Sequence, residues 1–356
     1  MKRILALLLS VLMVAGMVAC SREPEATEPA VPATMAPPEP VRKTVHILLP
    51  ETIASQGMEL ANILASAGEF DSTTATYANA DEQTQLLNEI ATQSKGDGAD
   101  IVVTMPLSQD MDAVFSQLLE ANVPYALADL IPAGAAAASV VNAYYDQYQI
   151  GAAAAAFLTE KGMTQEDKVI IIQGISEAEA QRTEGFQMYL LGKMSWDGAT
   201  IETPWESLDN IVYSDMQGTT QESAATYFET YMEESDHASI KYIAAWEDAY
   251  ALGVLDALEG ENINSANKDK FLDGSPILTG CGGNAAMRDV LTGNASYSAI
   301  ASFGEIRTVE YSRDLLMNIA TQAMVDHLTG SVVEQDQPQS ITWLTAENAT
   351  PQSIEG

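Results

Sequence analysis

Cysteine, histidine and positive charge are all scarce in this chain. Two cysteines and three histidines stand among 356 residues, and 16 Lys and Arg face 50 Asp and Glu, for a net charge of -34. So acidic a chain excludes nucleic acid as a partner, because binding phosphates requires clustered cations. The plain consequence of the charge is a well-solvated surface. His46, His237 and His327 lack metal-ligand spacing, and Cys281 has no histidine close to it in sequence. No Gly-x-x-x-x-Gly-Lys phosphate loop and no Gly-x-Ser-x-Gly elbow occur. Gly280-Cys281-Gly282-Gly283 lacks the later glycine of a dinucleotide fingerprint. Paired carboxylates such as Glu247-Asp248 remain as acid–base candidates, but adjacent acids are commonplace in a chain this acidic.

The apolar run Ile4 to Val18 follows Lys2 and Arg3 and is too short to span a membrane as a mature helix. It ends in Met17-Val18-Ala19-Cys20, which resembles a bacterial lipobox, where cleavage precedes a cysteine that then carries lipid. Residues 1–19 are therefore expected to be a lipoprotein signal peptide and Cys20 the lipidation site. A plain secretory signal with an incidental cysteine is the alternative. Residues 20–43, rich in Pro, Glu, Ala and Thr, cannot bury a core and read as a disordered tether. Cys281 is then the one cysteine left and cannot form an internal disulfide; it sits in an apolar run as a small core residue.

From Thr44 onward strands and helices alternate. Strand-like runs stand at 44–49, 72–77, 100–104 and 123–128, with helical spacing at 56–67, 81–93 and 109–121 between them. After a helix at 149–160, a second series opens at Val169-Ile170-Ile171-Ile172, β-branched residues suited to a strand buried on both faces. Its further strands are expected at 210–213, 242–245, 276–281 and 299–303. Its helices are expected at 183–191, 221–234, 249–258 and 285–291, and a long last helix at 307–328. The fold class is α/β, with two Rossmann-like doubly wound lobes. Ligands in such sheets bind beyond the carboxyl ends of the strands. Gly174 ends the 169–173 run, and Arg182 stands just after it, near the expected helix start. Its planar fork of donors suits hydroxyl or carboxylate oxygens; alternatively it pairs with Glu179 or Glu184 on a solvated face.

The order of motifs resembles the type I periplasmic sugar-binding proteins, the ribose- and galactose-binding group that serves ABC transporters. The resemblance rests on Gly98-Ala99-Asp100-Ile101-Val102-Val103 with Pro106, on Val123-Pro124-Tyr125-Ala126-Leu127-Ala128-Asp129, and on Asp146 with Gly151. It continues in Gly174 with Arg182-Thr183-Glu184-Gly185-Phe186, and in Glu247-Asp248-Ala249-Tyr250-Ala251-Leu252-Gly253. It covers Val45 to about Thr345 and implies a hinged cleft, with lobe 1 at 44–147 plus 305–336 and lobe 2 at 148–304 plus 337–356. Asp129, Arg182 and Glu247 would then contact sugar hydroxyls. Carboxylates accept from hydroxyls, and arginine donates two parallel bonds. Asp248, Glu179, Trp246, Tyr145 and Phe303 complete the candidate ligand-binding set, with Phe186 a further ring that could meet the apolar face of a sugar.

The chain also departs from that pattern. Glu247 stands where the family usually has asparagine, Gly282 where it has an aspartate, and Leu130 where it has an arginine. The same fold serves nucleoside, autoinducer and amino-acid-like ligands, so the ligand stays open. The resemblance implies a non-catalytic monomer without cofactor or metal, whose partners are a small ligand, permease subunits and, through the anchor, the membrane. A sensor reporting to a membrane receptor is the alternative. A repressor is disfavoured by the export signal and the acidic charge.

Replacing Cys20→Ser is expected to release the protein from the membrane fraction and abolish incorporation of labelled palmitate, since lipoprotein lipidation supplies the several chains that stable anchoring needs. Label retained by the Cys20→Ser variant would refute the lipobox reading.

Overall fold

The computed structural model describes residues 42–350, except 69 and 217. The expected signal peptide, Cys20 and most of the tether lie outside the described residues. Among those described, no helix is long and apolar enough to cross a membrane.

The first lobe is built from β1 (Lys43–Pro50), α1 (Gly57–Ala67), β2 (Phe70–Tyr77), α2 (Ala80–Gln93), β3 (Asp100–Thr104), α3 (Asp112–Glu120), β4 (Tyr125–Ala128), the short α4 (Ala133–Ala136) and β5 (Val141–Tyr144). The chain then crosses into α5 (Gln147–Glu160), β6 (Val169–Ile172), α6 (Glu177–Leu190), β7 (Ile211–Tyr213), α7 (Gln221–Tyr231), β8 (Tyr242–Ala245) and α8 (Asp248–Glu259). The second lobe continues with α9 (Ser265–Asp273), β9 (Ile277–Gly282), α10 (Ala285–Thr292) and β10 (Glu305–Glu310). α11 (Arg313–Leu328) returns to pack on β3, β4 and β5. β11 (Asp336–Pro338) closes the first sheet, and β12 (Thr342–Leu344) closes the second.

The two sheets repeat one topology. Their orders are β11-β5-β4-β3-β1-β2 and β12-β10-β9-β8-β6-β7. All pairings are parallel except β10 with β12. Strand order reverses next to β1 in one lobe and next to β6 in the other, which places a crevice at the carboxyl ends there. Each sheet is covered on both faces. Ile170 and Ile172 of β6 pack with α7 and α8, whereas Val169 and Ile171 pack with α5 and α6. That period-2 division of an all-apolar strand is what a fully buried parallel sheet demands.

Three expectations need correction. The segment expected as a strand at 299–303 is a 3-10 helix, Ser298–Ser302, and the strand is β10 instead. β10 was hidden because three of its six residues, Glu305, Arg307 and Glu310, are charged, so it reads as the start of the charged helix that follows. The last helix therefore starts at Arg313, and the second crossing falls at Tyr311-Ser312 rather than at the expected 304–305 boundary, leaving 305–310 in the second lobe. α6 starts six residues before Thr183, at a capping box in which Ser176 accepts from the Glu179 amide and Glu179 accepts from the Ser176 amide. Arg182 is thus the sixth residue of that helix, a full turn past its start.

α5 and α6 cross in close contact. A Cβ at Gly151 of α5 would lie 1.8 Å from the backbone oxygen of Arg182. Gly151→Ala is therefore expected to force the helices apart and to lower stability by about 1–3 kcal/mol, read as an earlier urea midpoint. A midpoint equal to wild type would show that the crossing yields without cost.

Candidate functional site

The parallel strands β6 and β8 point their carboxyl ends at the same place, and the helices that follow them deliver Arg182 and Glu247. Arg182 has no solvent exposure. Its Nε donates to Gln147 Oε1 at 2.8 Å, and its Nη1 donates to the Trp246 carbonyl and to Glu247 Oε1, the latter at 3.1 Å. The guanidinium also lies 5.0 Å from the centre of the Tyr311 ring, within cation–π range. Its Nη2 is buried without a partner.

Asp129 faces this group from the first lobe. It follows β4 with φ of +69°, a left-handed conformation that aspartate tolerates better than most residues. Its carboxylate accepts from the Tyr311 hydroxyl and, at 3.2 Å, from Arg313 Nε. Tyr145, at the first crossing, packs on Tyr311 with ring centres 5.0 Å apart. A continuous chain of contacts, Glu247–Arg182–Tyr311–Asp129–Arg313, thus joins the lobes through the second crossing. Tyr311, Arg313 and Gln147 escaped the sequence reading. The available signal was Ser312, a helix N-cap whose side chain accepts from the Leu315 amide, which marks the end of a strand just before it.

A cavity of about 390 Å³ adjoins the group. Ile53 and Asp314 from the first lobe's side meet Glu247, Asp248, Cys281 and Glu310 from the second across it, with Tyr311 and Arg313 between. A larger cavity, about 880 Å³, shares none of these residues and lies elsewhere on the second lobe. The site is assigned to the smaller one, because there the ionised groups of both lobes converge at strand carboxyl ends.

Burial works against the Arg182 charge, but the carboxylates of Glu247 and Asp129 nearby favour the cation, so the side chain stays charged. Burial pushes the neighbouring Cys281 thiol up to about 12 and the Tyr311 hydroxyl well above its usual range, so neither carries charge at neutral pH. Burial also raises the Glu247 carboxyl, against the pull of Arg182. Its side chain keeps 29% exposure, so solvent screens much of that effect.

The other expected residues separate. Asp248 is 2% exposed and accepts from the Asn284 amide at 2.8 Å and from the Thr308 hydroxyl. A Cβ at Gly282 would come within 2.8 Å of Asp248 Oδ2. The carboxylate of Asp248 therefore crowds the space that a side chain at position 282 would enter. Glu179 is committed to its capping box and to the Tyr250 hydroxyl at 2.8 Å. Trp246 is 1% exposed, donates to Thr183 Oγ1 at 2.7 Å and meets Phe186 edge-on, so both rings belong to the core. Phe303 is a correction: it precedes β10, at the opposite end of the sheet from the cleft, and packs against Phe271. Among the described residues, Glu234, Asp236 and His237 are grouped closely enough to hold a metal, on the outer surface after α7 and away from the cleft.

Burial lifts the Asp248 carboxyl from 3.8 to about 6. The folded state therefore holds its proton more tightly than the unfolded chain. Its stabilising contribution is complete below about pH 4 and is lost as pH rises through 6. The shift corresponds to about 3 kcal/mol. Thermal melts of wild type and Asp248→Asn across pH 4–7 are expected to converge toward the acid end, with wild type losing stability relative to the variant as pH rises. Parallel curves would refute the assignment.

Residues 56–330 match the family described as periplasmic binding protein domain. No curated protein matches. Among solved structures, an ABC transporter solute binding protein from Bacillus halodurans with bound myo-inositol is 16% identical, with a TM-score of 0.64, covering 86% of this chain and 96% of that one. The myo-inositol binding protein of Caulobacter is also 16% identical, with a TM-score of 0.64 over 90% of this chain and 98% of that one. A glucose-galactose binding protein from Geobacillus stearothermophilus gives 16% and 0.63, over 86% and 99%. The paired sheets, the three crossings and the match over most of the chain place this protein in the periplasmic binding protein domain family.

Proposed function

We propose that this protein is an extracytoplasmic solute-binding lipoprotein that captures a neutral polyhydroxylated ligand, a sugar or cyclic polyol, between its lobes and presents it to an ABC transporter permease. One observation carries the reading: Arg182 Nη2 is a buried donor without a protein partner, in a cluster whose Arg182 and Arg313 charges are matched by Glu247 and Asp129. A neutral ligand with several hydroxyls suits it, since one oxygen accepts from Nη2 while hydroxyl hydrogens reach the carboxylates. A net charge on the ligand would upset a cluster already in balance. The fold-relatives that hold myo-inositol support the same class. Within this reading Asp129, Arg182 and Glu247 bind the ligand, Tyr145 supports the binding surface through Tyr311, and Asp248, Glu179 and Trp246 hold the frame. Phe303 takes no part. The group needs no cofactor and performs no reaction on the ligand. Lobe closure would be read by the membrane subunits, with Cys20 keeping the protein at the outer face of the cell membrane.

The test is a thermal-shift screen of sugars, polyols, nucleosides and amino acids, followed by calorimetry. A ligand at a hundred times its dissociation constant should add about 2.7 kcal/mol of stability. Arg182→Ala is expected to weaken the selected ligand by roughly 30- to 1,000-fold, the equivalent of about 2–4 kcal/mol. Arg182→Lys is expected not to rescue it, since an ammonium cannot reproduce the fork of donors. Affinity within about threefold of wild type in both folded variants would put Arg182 outside the site.

A further inference from the structure

The larger cavity has a distinct chemistry. It lies on the flank of the second lobe, behind the carboxyl half of α5, and shares no residue with the interlobe cavity. Its volume of about 880 Å³ falls in the range of small-molecule sites. Trp196, Trp205 and Trp343 line it with Tyr189 and Phe157, so three of the four tryptophans in the chain converge there. Trp205, Tyr189 and Phe157 are buried and form its floor, whereas Trp196 and Trp343 are half-buried. Glu160, Glu166, Asp197 and Glu202 stand on its rim, all exposed.

The lining contains one cation, Arg307, and it is already committed. Its Nε is paired with Glu305, and its guanidinium lies 4.2 Å from the centre of the Phe157 ring. Lys161 Nζ approaches the same ring at 5.5 Å. The protein's own cations therefore settle on this aromatic wall. A ring face attracts cations through its quadrupole, most strongly for tryptophan. The four rim carboxylates add attraction of the same sign and repel anions.

From this geometry we propose that the cavity is a second ligand site, separate from the cleft, that takes small organic cations such as quaternary ammonium compounds. The aromatic floor would hold the alkylated head, and Trp196 and Trp343 would flank it. The rim carboxylates would compensate its charge without contact. Charge complementarity favours this occupant: an organic cation gains from both the ring faces and the acidic rim, whereas a neutral carbohydrate has no charge for either to attract.

Choline and its uncharged isostere 3,3-dimethylbutan-1-ol separate charge from shape. Titrated into the purified full chain, choline is expected to shift the indole N–H resonances of Trp196, Trp205 and Trp343 and to leave that of Trp246, while the isostere binds more weakly. Trp196→Ala should weaken choline by roughly 2- to 30-fold. Glu202→Gln, at an exposed position unable to disturb folding, should weaken it further with salt-dependent attenuation. Arg182→Ala, in the cleft, should leave choline binding unchanged. Equal binding of both probes, or no shift of these resonances with choline up to its solubility, overturns the proposal. So does a sugar whose affinity falls in Trp196→Ala but not in Arg182→Ala, since the cavity would then be a carbohydrate subsite.

Discussion

The buried charge of Arg182 is the constraint around which the rest of the cleft is arranged. A guanidinium without solvent exposure is strongly destabilising unless its hydrogens find acceptors and its charge finds partners. Gln147 at the first crossing, the Trp246 carbonyl after β8 and Glu247 at the head of α8 supply the acceptors. Tyr311 at the second crossing supplies a ring face. These come from three separate stretches, so the charge is tolerated only when strand order, helix start and crossing point are all in place. The close approach of α5 to the Arg182 carbonyl at Gly151 is part of the same requirement.

The second crossing does more than connect lobes. Tyr311 and Arg313 both bond to Asp129 of the first lobe, and Tyr311 also meets Arg182 of the second. The segment that must flex for the lobes to move is therefore the one that carries the contacts between them. On the proposed function, a ligand that takes up the free Arg182 hydrogen and the carboxylate lone pairs would act directly on the elements that set the lobe angle. The duplicated strand order explains why the parts meet: each sheet has its own reversal point, and the two crevices face each other.

The clearest strand in the sequence was β6, because an uninterrupted β-branched run has few other uses. The alternation of apolar runs with helical spacing made the α/β class legible, and the βα unit after Gly174 located Arg182 at a strand's carboxyl end. Less legible was β10, whose Glu305 pairs with Lys161 after α5 and with Arg307 in the same strand, and whose Glu310 pairs with Arg288 of α10. Once its charges are partnered, a strand need not look apolar. α9 was missed for a similar reason: Asn267 and Phe271 are its buried residues, while its remaining positions are largely polar. Trp246 and Phe303 were plausible ligand-facing rings by type alone. Type could not tell a ring that meets solvent from one that packs on Phe186 or Phe271.

By itself, then, the sequence determined the fold class, through the alternation of strand and helix patterns along the chain, the absence of nucleic-acid and cofactor motifs, and the place of Arg182 beyond a strand's carboxyl end, while Asp129 and Glu247 were pointed to by the family resemblance. Only the tertiary structure decided which acids meet which arginines. Asp129 and Arg313 are 184 positions apart, and Arg182 and Glu247 are 65 apart. Side-chain pairing over such separations is set by sheet order and crossing geometry, and no local pattern carries that information. The same holds for Asp248: it borders the cavity together with Glu247, yet its carboxylate turns to Thr308 and the Asn284 amide. Successive residues at a helix start point in different directions, and the burial around them decides which carboxylate stays open to the cavity.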